Sequence, residues 1–314
     1  MTIPGTIPGT IPTTIPTTIP RIGVSLPTFG PEAGPDSVAR IAGTVERLGF
    51  HSVSASERLL LPASPGWVNE FGLPDSPVLD PIEALTWAAA RTSRVRLLTA
   101  VVNAPFQPPL VLARRLATLD QLSRGRLDAG LGQGWLAEEF VATGVPMSRR
   151  GAGFEEHIRA MRACWGPDPV QHDGGGAYVI PPARIGPKPF TGDMPVLIGA
   201  ASTPAIIRAA RLGAGFIGAL WDRDVTRREI ANYRDAGGNG PIVLLPVHEW
   251  LIADQSADRV KIAADVIEFL RDLSTLGADE VHWNPNAAGV DIASQVSALE
   301  ALAVVTASFT TRSA

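Results

Sequence analysis

Cysteine and lysine are nearly missing from this chain. Its 314 residues include one cysteine, Cys164, so an internal disulfide is excluded and the usage fits a reducing cytoplasm. Cys164 falls on the stripe Phe154, Ile158, Met161, Cys164 and Trp165 of a predicted helix, which reads as core. The two lysines are Lys188 and Lys261, arginine carries the other positive charges, and the net charge is −4. That balance argues against nucleic acid or an anionic membrane as the main partner. No apolar run reaches membrane-spanning length, and no segment joins a basic start to the apolar core of a secretory signal. Convergent catalytic patterns are scarce as well. The sequence has no Gly-x-Ser-x-Gly elbow, no phosphate loop with its lysine, no glycosidase-spaced acid pair and no metal-ligand cluster. What remains is a chain suited to binding a cofactor that carries the chemistry itself.

What is present begins with a repeat. Pro4, Pro8, Pro12, Pro16 and Pro20 recur in phase within Thr-Ile-Pro units. Proline at that spacing blocks both helix and sheet ladder, so residues 1–20 are expected to form a disordered tail outside the fold. From residue 21 onward, strand and helix patterns alternate. Strands are expected at 22–26, 51–56, 95–102, 126–131, 196–201, 216–220, 242–247 and 280–283. Helices fall between them, at 36–48, from Asp80-Pro81, at 108–122, 138–143, 149–165, 204–212, 224–235 and 256–276, with a last one to about 305. The strands are short apolar runs, as parallel strands buried on both faces should be. Eight such units without a break in composition predict one (β/α)8 barrel over 21–314, with an irregular insertion, 166–193, between strands four and five. A doubly wound open sheet is the competing architecture; nothing in the strand series suggests its switch in order.

In a (β/α)8 barrel, ligands bind at the C-terminal ends of the strands. Those ends offer Ser25, the pair Glu57-Arg58, Val102-Asn103-Ala104, Gly132-Gln133-Gly134-Trp135, Gly199-Ala200-Ala201-Ser202-Thr203, Trp221, His248 and Trp283. Glycines 132 and 134 suggest backbone close to a planar ligand, with Trp135 as an apolar wall. The segment 199–203 joins a strand to a helix whose first turn carries Pro204. Its amides, two hydroxyls and positive helix end suit a phosphate, although an ordinary helix cap has the same residues. Arg58 is a candidate to orient substrate, or the pair Glu57-Arg58 is a surface ion pair. His248 is either a proton carrier or a structural histidine. Trp135 and Trp283 serve as core or as pocket wall. The long connection 61–79, with Trp67 and Phe71, reads as a lid over the pocket.

Several stretches resemble the luciferase-like monooxygenase superfamily, and within it the F420-dependent oxidoreductase branch. The likeness is carried by Leu48-Gly49-Phe50 and, most specifically, by the run from Leu116 to Arg126. Gly130-Leu131-Gly132-Gln133-Gly134-Trp135, Glu139-Phe140, Pro187-Lys188-Pro189, Pro195-Val196-Leu197-Ile198-Gly199 and Ala209-Ala210-Arg211-Leu212-Gly213 continue it. The resemblance spans 21 to about 307. It implies coenzyme F420, or alternatively FMN, lying with its ring at the strand ends and its phosphate at 199–203. It also implies a non-proline cis bond near Val102-Asn103-Ala104, and commonly a homodimer. Where many deazaflavin members carry Asp-His after strand two, this chain has Glu57-Arg58, which leaves the proton donor unassigned.

Three readings follow. The first is hydride transfer between F420 and a small organic substrate, with Glu57 and Arg58 as catalytic candidates. The second is an FMN-dependent monooxygenase using reduced flavin and O2, with a separate reductase. The third is a flavin-binding barrel without turnover, which only the departure after strand two favours.

Overall fold

The computed structural model describes residues 18–70, 78–175, 177–246, 259–288 and 290–311. Eight parallel strands form the barrel: β1 (Arg21–Ser25), β2 (Ser52–Ala55), β3 (Arg96–Thr99), β4 (Leu127–Gly132), β5 (Val196–Gly199), β6 (Gly215–Leu220), β7 (Ile242–Pro246) and β8 (Glu280–Trp283). They pair in the order β3-β2-β1-β8-β7-β6-β5-β4, and β3 also pairs with β4, which closes the ring. Closure removes both sheet edges and decides against the open sheet.

The helices are α1 (Pro35–Leu48), α2 (Pro81–Ala89), α3 (Pro109–Ser123), α4 (Ala137–Thr143), α5 (Ala152–Trp165), α6 (Thr203–Arg211), α7 (Arg223–Asp235), α8 (Arg259–Leu276) and α9 (Ile292–Thr306). Their ends follow local chemistry. Proline stands in the first turn of α1, α2 and α3, and Gly49 closes α1 in the left-handed region at φ 79°. Asp222 starts α7 by accepting hydrogen bonds from the amides of Asp224 and Val225, both at 2.9 Å. Asp222→Ala is therefore expected to cost about 1 kcal/mol of stability, read as a small fall in the urea midpoint with an unchanged slope.

Strand alternation sorts side chains into two populations. Val24, Val53, Leu97, Leu127, Ile198, Phe216, Ile242, Leu244 and Val281 face the helices and belong to the large core between the layers. Register keeps this set together: Val24 pairs with Val53, Val53 with Leu97, and Leu97 with Leu127. The other population faces the barrel axis. Leu98, Ala100, Leu197, Ile217 and Val243 form a separate cluster there, with Val101 and Leu245 packed on it. Across the axis, on β8, β1 and β2, the inward residues are Glu280, His282, Gly23, Ser25, Ser52 and Ser54. A Cβ on Gly23 would lie 2.3 Å from His282 Cε1 and 2.4 Å from Ser52 Oγ, so the glycine makes room for this polar group. The interior is thus apolar on one side and hydroxylated on the other.

Four expectations need correction. The third strand is not continuous to 102. Leu98 pairs with Asp128 and Val102 with Leu131, so four steps on one strand match three on the other. That extra residue is a bulge, and it separates β3 from the two-residue strand Val102–Asn103. The peptide Ala100–Val101 is cis, just upstream of the position implied by the family resemblance. The fifth helix begins at Ala152 instead of 149, because Gly151 has φ 67° and a 3-10 turn occupies Met147–Arg149. The insertion between β4 and β5 is not wholly irregular: Val170–Asp173 and Val179–Ala183 pair as an antiparallel hairpin. Finally, the last residues of the expected tail belong to the fold. Thr18–Ile19 pairs with Thr310–Thr311, and Ile19 is fully buried, because an isoleucine that close to β1 can reach the helix layer. Residues 1–17 lie outside the described residues.

Candidate active site

The mouth at the C-terminal strand ends is built from small residues. Ser25, Gly132, Gly199 and Ala219 supply its inner wall, whereas Ala200, expected there, turns outward by alternation and packs on the helix-facing core; Ser25 and Ser54 share a hydrogen bond of 3.3 Å between their hydroxyls. Gly132 and Gly199 do not leave bare backbone for a ligand, as the sequence suggested. A Cβ on Gly132 would sit 2.6 Å from Val101 Cγ2, and one on Gly199 would sit 2.8 Å from Val101 Cγ1. The two glycines accept the Val101 side chain, which the bulge swings between β4 and β5. Gly134, at φ 72°, is hemmed in by the Phe106 and Phe140 rings, to which a Cβ there would lie 2.9 and 3.0 Å away. What is presented at this point of the mouth is an aliphatic knob seated between glycines. Sequence reading missed Val101 because it counted that residue within a regular strand.

Three strand ends are tied together by hydrogen bonds. The Glu57 amide donates to Val101 O at 3.2 Å, and Glu57 Oε2 accepts from the Asn103 amide at 2.7 Å. Asn103 Oδ1 accepts in turn from the Gly134 amide at 3.1 Å. Glu57 is 8% exposed. Burial pushes its carboxyl up to about 7, against the pull of the Asn103 amide and helped by the charges of Asp80 and Glu139. It is therefore a buried acid that exchanges its proton near neutrality.

Arg58 is engaged differently. Its Nη1 lies 3.0 Å from Oε1 of Glu139, a fully buried carboxylate on α4, and its guanidinium stands 5.0 Å from the centroid of the Trp135 ring. Glu139 Oε1 also accepts from the Leu59 amide at 2.9 Å. This group pins the chain leaving β2 to α4 and places Trp135 beside the mouth with 42% of its surface exposed. Glu139 was quoted above only as part of a resemblance. Its sequence signal was weak because its partner is 81 residues away.

Other candidates divide. Gln133 Oε1 accepts from the Gly151 amide at 3.0 Å, joining the β4 end to the start of α5. Ala201, Ser202 and Thr203 are exposed at the head of α6, and the Ser202 side chain makes no capping bond to its own helix. A serine at that position normally closes on the helix amides. Here Pro204 has no amide proton and the Ala205 and Ile206 amides donate to Ser202 O at 2.9 and 3.0 Å, which leaves the Ser202 and Thr203 hydroxyls and the Thr203 amide to face an anion. Trp67 is partly buried in the long connection, and Trp221 is 52% exposed just past β6. Val102 and Ala104 are not at the mouth: both are fully buried in the helix-facing core. Trp283 is likewise corrected. Glu280 and His282 face the axis, so alternation turns Trp283 outward into the same core, 2% exposed. Phe71 and His248 lie outside the described residues. Among the described residues, no group of three His, Cys, Asp or Glu is placed to hold a metal ion, and no helix is long and apolar enough to cross a membrane.

A luciferase-like monooxygenase family model matches residues 19–296, nearly the whole barrel. The chain belongs to the luciferase-like monooxygenase family. Within this family it is 37% identical over 199 residues to an uncharacterized Mycobacterium tuberculosis protein, covering 61% of this chain and 69% of the relative. It is 32% identical to an F420-dependent glucose-6-phosphate dehydrogenase of Amycolatopsis mediterranei, over 59% of this chain and 53% of that one. It is 29% identical to an FMNH2-dependent dimethylsulfone monooxygenase of Pseudomonas fluorescens, over 57% and 50%. Among solved structures, the monooxygenase RslO1 of Streptomyces bottropensis superposes with a TM-score of 0.73 at 23% identity, over 90% of this chain and 98% of that one, which bears on the fold. The luciferase-like family thus includes both deazaflavin and flavin enzymes.

Proposed function

We propose that this luciferase-like barrel is an F420-dependent oxidoreductase that moves a hydride between the coenzyme and a small organic substrate. The observation that carries the proposal is Glu57: an acid that titrates near neutrality, buried at the mouth beside the Val101 knob. Hydride transfer to or from a polar bond needs a proton partner, and an acid poised near working pH is suited to that task. The likeness to an F420-dependent dehydrogenase supports the same reading.

The residues fit such a group. The Ser202 and Thr203 hydroxyls and the Thr203 amide would hold its phosphate, and the small-residue wall with Val101 and Trp135 would flank its ring. When bound, the deazaflavin supplies hydride chemistry. The protein's part is to hold the reacting partners in contact and shed water, with Glu57 holding the proton and the Arg58–Glu139 pair fixing the wall beside it. A homodimer, a cytoplasmic setting and, for a flavin enzyme, a separate reductase belong to this proposal.

Titrating the protein with F420 and with FMN, then measuring hydride transfer and oxygen uptake, tests it. Tight F420 binding with hydride transfer and no oxygen uptake is the expected outcome. Oxygen uptake with reduced FMN would replace it with the monooxygenase reading, and binding of either cofactor without turnover would point to a carrier. Glu57→Gln should leave F420 affinity within about twofold and lower the hydride-transfer rate by about 10²-fold or more.

A further inference from the structure

The opposite, N-terminal end of the barrel holds a cavity of about 600 Å³. Its floor is Leu98, Leu197 and Val243, the axis cluster whose other side carries Val101 and Leu245 near the mouth. Its rim is charged. Barrels of this kind normally fill their interior with layers of branched side chains, and a volume without contacts sacrifices packing. Six hundred cubic ångströms lies within the range of small-molecule sites.

The rim's hydrogen bonding shows what would bind. Arg96 is spent on Asp128, with two contacts of 2.6 Å. Arg234 Nη1 donates to the carbonyls of Gly238 and Gly240. Glu280 Oε1 is taken by His282 Nε2 at 2.7 Å and by the Ser52 hydroxyl. Around Glu280 Oε2 the accounts stay open. His51 Nε2 stands 3.6 Å away and Arg21 Nε 3.8 Å away, both too far for a hydrogen bond, and Arg21 Nε is buried with no partner. Arg21 Nε is sealed from the cavity, so Glu280 Oε2 and His51 Nε2 are the pair left to face it, close to each other without a hydrogen bond between them.

A group that both donates and accepts satisfies that arrangement, and a hydroxyl does so. Three arginines and three carboxylates cancel along the rim, while burial lowers the His51 imidazole from its ordinary range against the pull of Glu280. A strong anion would meet Glu280, and a cation would meet Arg21. We infer that this cavity is a second binding site, for a small uncharged alcohol whose apolar body lies on Leu98, Leu197 and Val243 and whose hydroxyl bridges Glu280 and His51. The site is separated from the mouth by the axis cluster and does not depend on the redox reading.

The test uses three probes of one shape: cyclohexanol, cyclohexanecarboxylate and cyclohexylamine, titrated into full-length protein with labelled Leu and Val methyls. Cyclohexanol should give saturable shifts at the methyls of Leu98, Leu197 and Val243, with an affinity at least about tenfold above either ion. His51→Leu should weaken it several-fold, and Val243→Phe, which fills the floor, should abolish it. Absence of saturable shifts in the wild-type protein overturns the inference. So do equal affinities for the three probes, or shifts confined to Val101 and Leu245.

Discussion

Replacing Glu280 by alanine is expected to remove about 3–5 kcal/mol of stability, because one carboxylate organises the polar side of the barrel interior. Glu280 accepts hydrogen bonds from His282 Nε2 and the Ser52 hydroxyl and faces Arg21 and His51, while remaining 5% exposed. Burial alone would raise its pKa; the His282 hydrogen bond, the charges that His282 and His51 carry when protonated and the Ser52 hydroxyl outweigh it and hold the carboxyl at about 2. The folded value is thus depressed. Its stabilising contribution is complete above the unfolded value near 4.5 and is lost as pH falls through about 2. Alanine leaves Ser52, His282 and Arg21 facing no acceptor in a nearly dry interior, whereas glutamine keeps one oxygen and should cost roughly 1.5–3 kcal/mol. Thermal unfolding at pH 7 should show a fall of roughly 6–15 °C for Glu280→Ala. The gap to wild type should narrow as the solution is acidified from pH 4.5 downward. A shift of a degree or less would mean that the serine–histidine side of the barrel is held by its packing alone.

The barrel was legible because its outward-facing population is apolar strand after strand and each run is short. Val24, Val53, Leu97 and Leu127 are neighbours in register as well as members of one core, so pattern and topology carry the same message. The axis was harder to read. Parity in β8 was present in the sequence, since Glu280 and His282 alternate with Val281 and Trp283, and that signal places Trp283 among the helices. Counting apolar residues hid it. Gly132 and Gly199 were visible as missing side chains, but sequence does not say what occupies the space, and here it is Val101. A bulge leaves no trace in an apolar run, so Val101 went unnoticed. The pairing of Arg58 with Glu139 joins distant segments, and local pattern cannot supply it.

Glu57→Gln should make the protein more stable above neutral pH, by up to about 3 kcal/mol, and leave it unchanged below about pH 4.5. The sign follows from burial. The folded carboxyl titrates at about 7 against 4.5 when solvated, so between those values the folded chain holds a proton that the unfolded chain has released. Stability therefore falls as pH rises through that window, and above it the native state carries a poorly solvated charge. Glutamine is neutral throughout and can still accept from the Asn103 amide. The wild-type profile alone does not isolate this effect. His157, held at about 4 by burial and by Arg149, and His51, also lowered, add stability as pH rises over much of the same range. The difference between wild type and Glu57→Gln cancels those contributions, and urea midpoints at pH 4.5, 6 and 8 measure it. A difference that grows with pH while hydride transfer collapses would show that the same buried acid weakens the fold and serves the reaction, a trade expected where function needs an ill-solvated group. A flat difference would mean that Glu57 is charged and well solvated at neutrality, and the proton would have to be held elsewhere at the mouth.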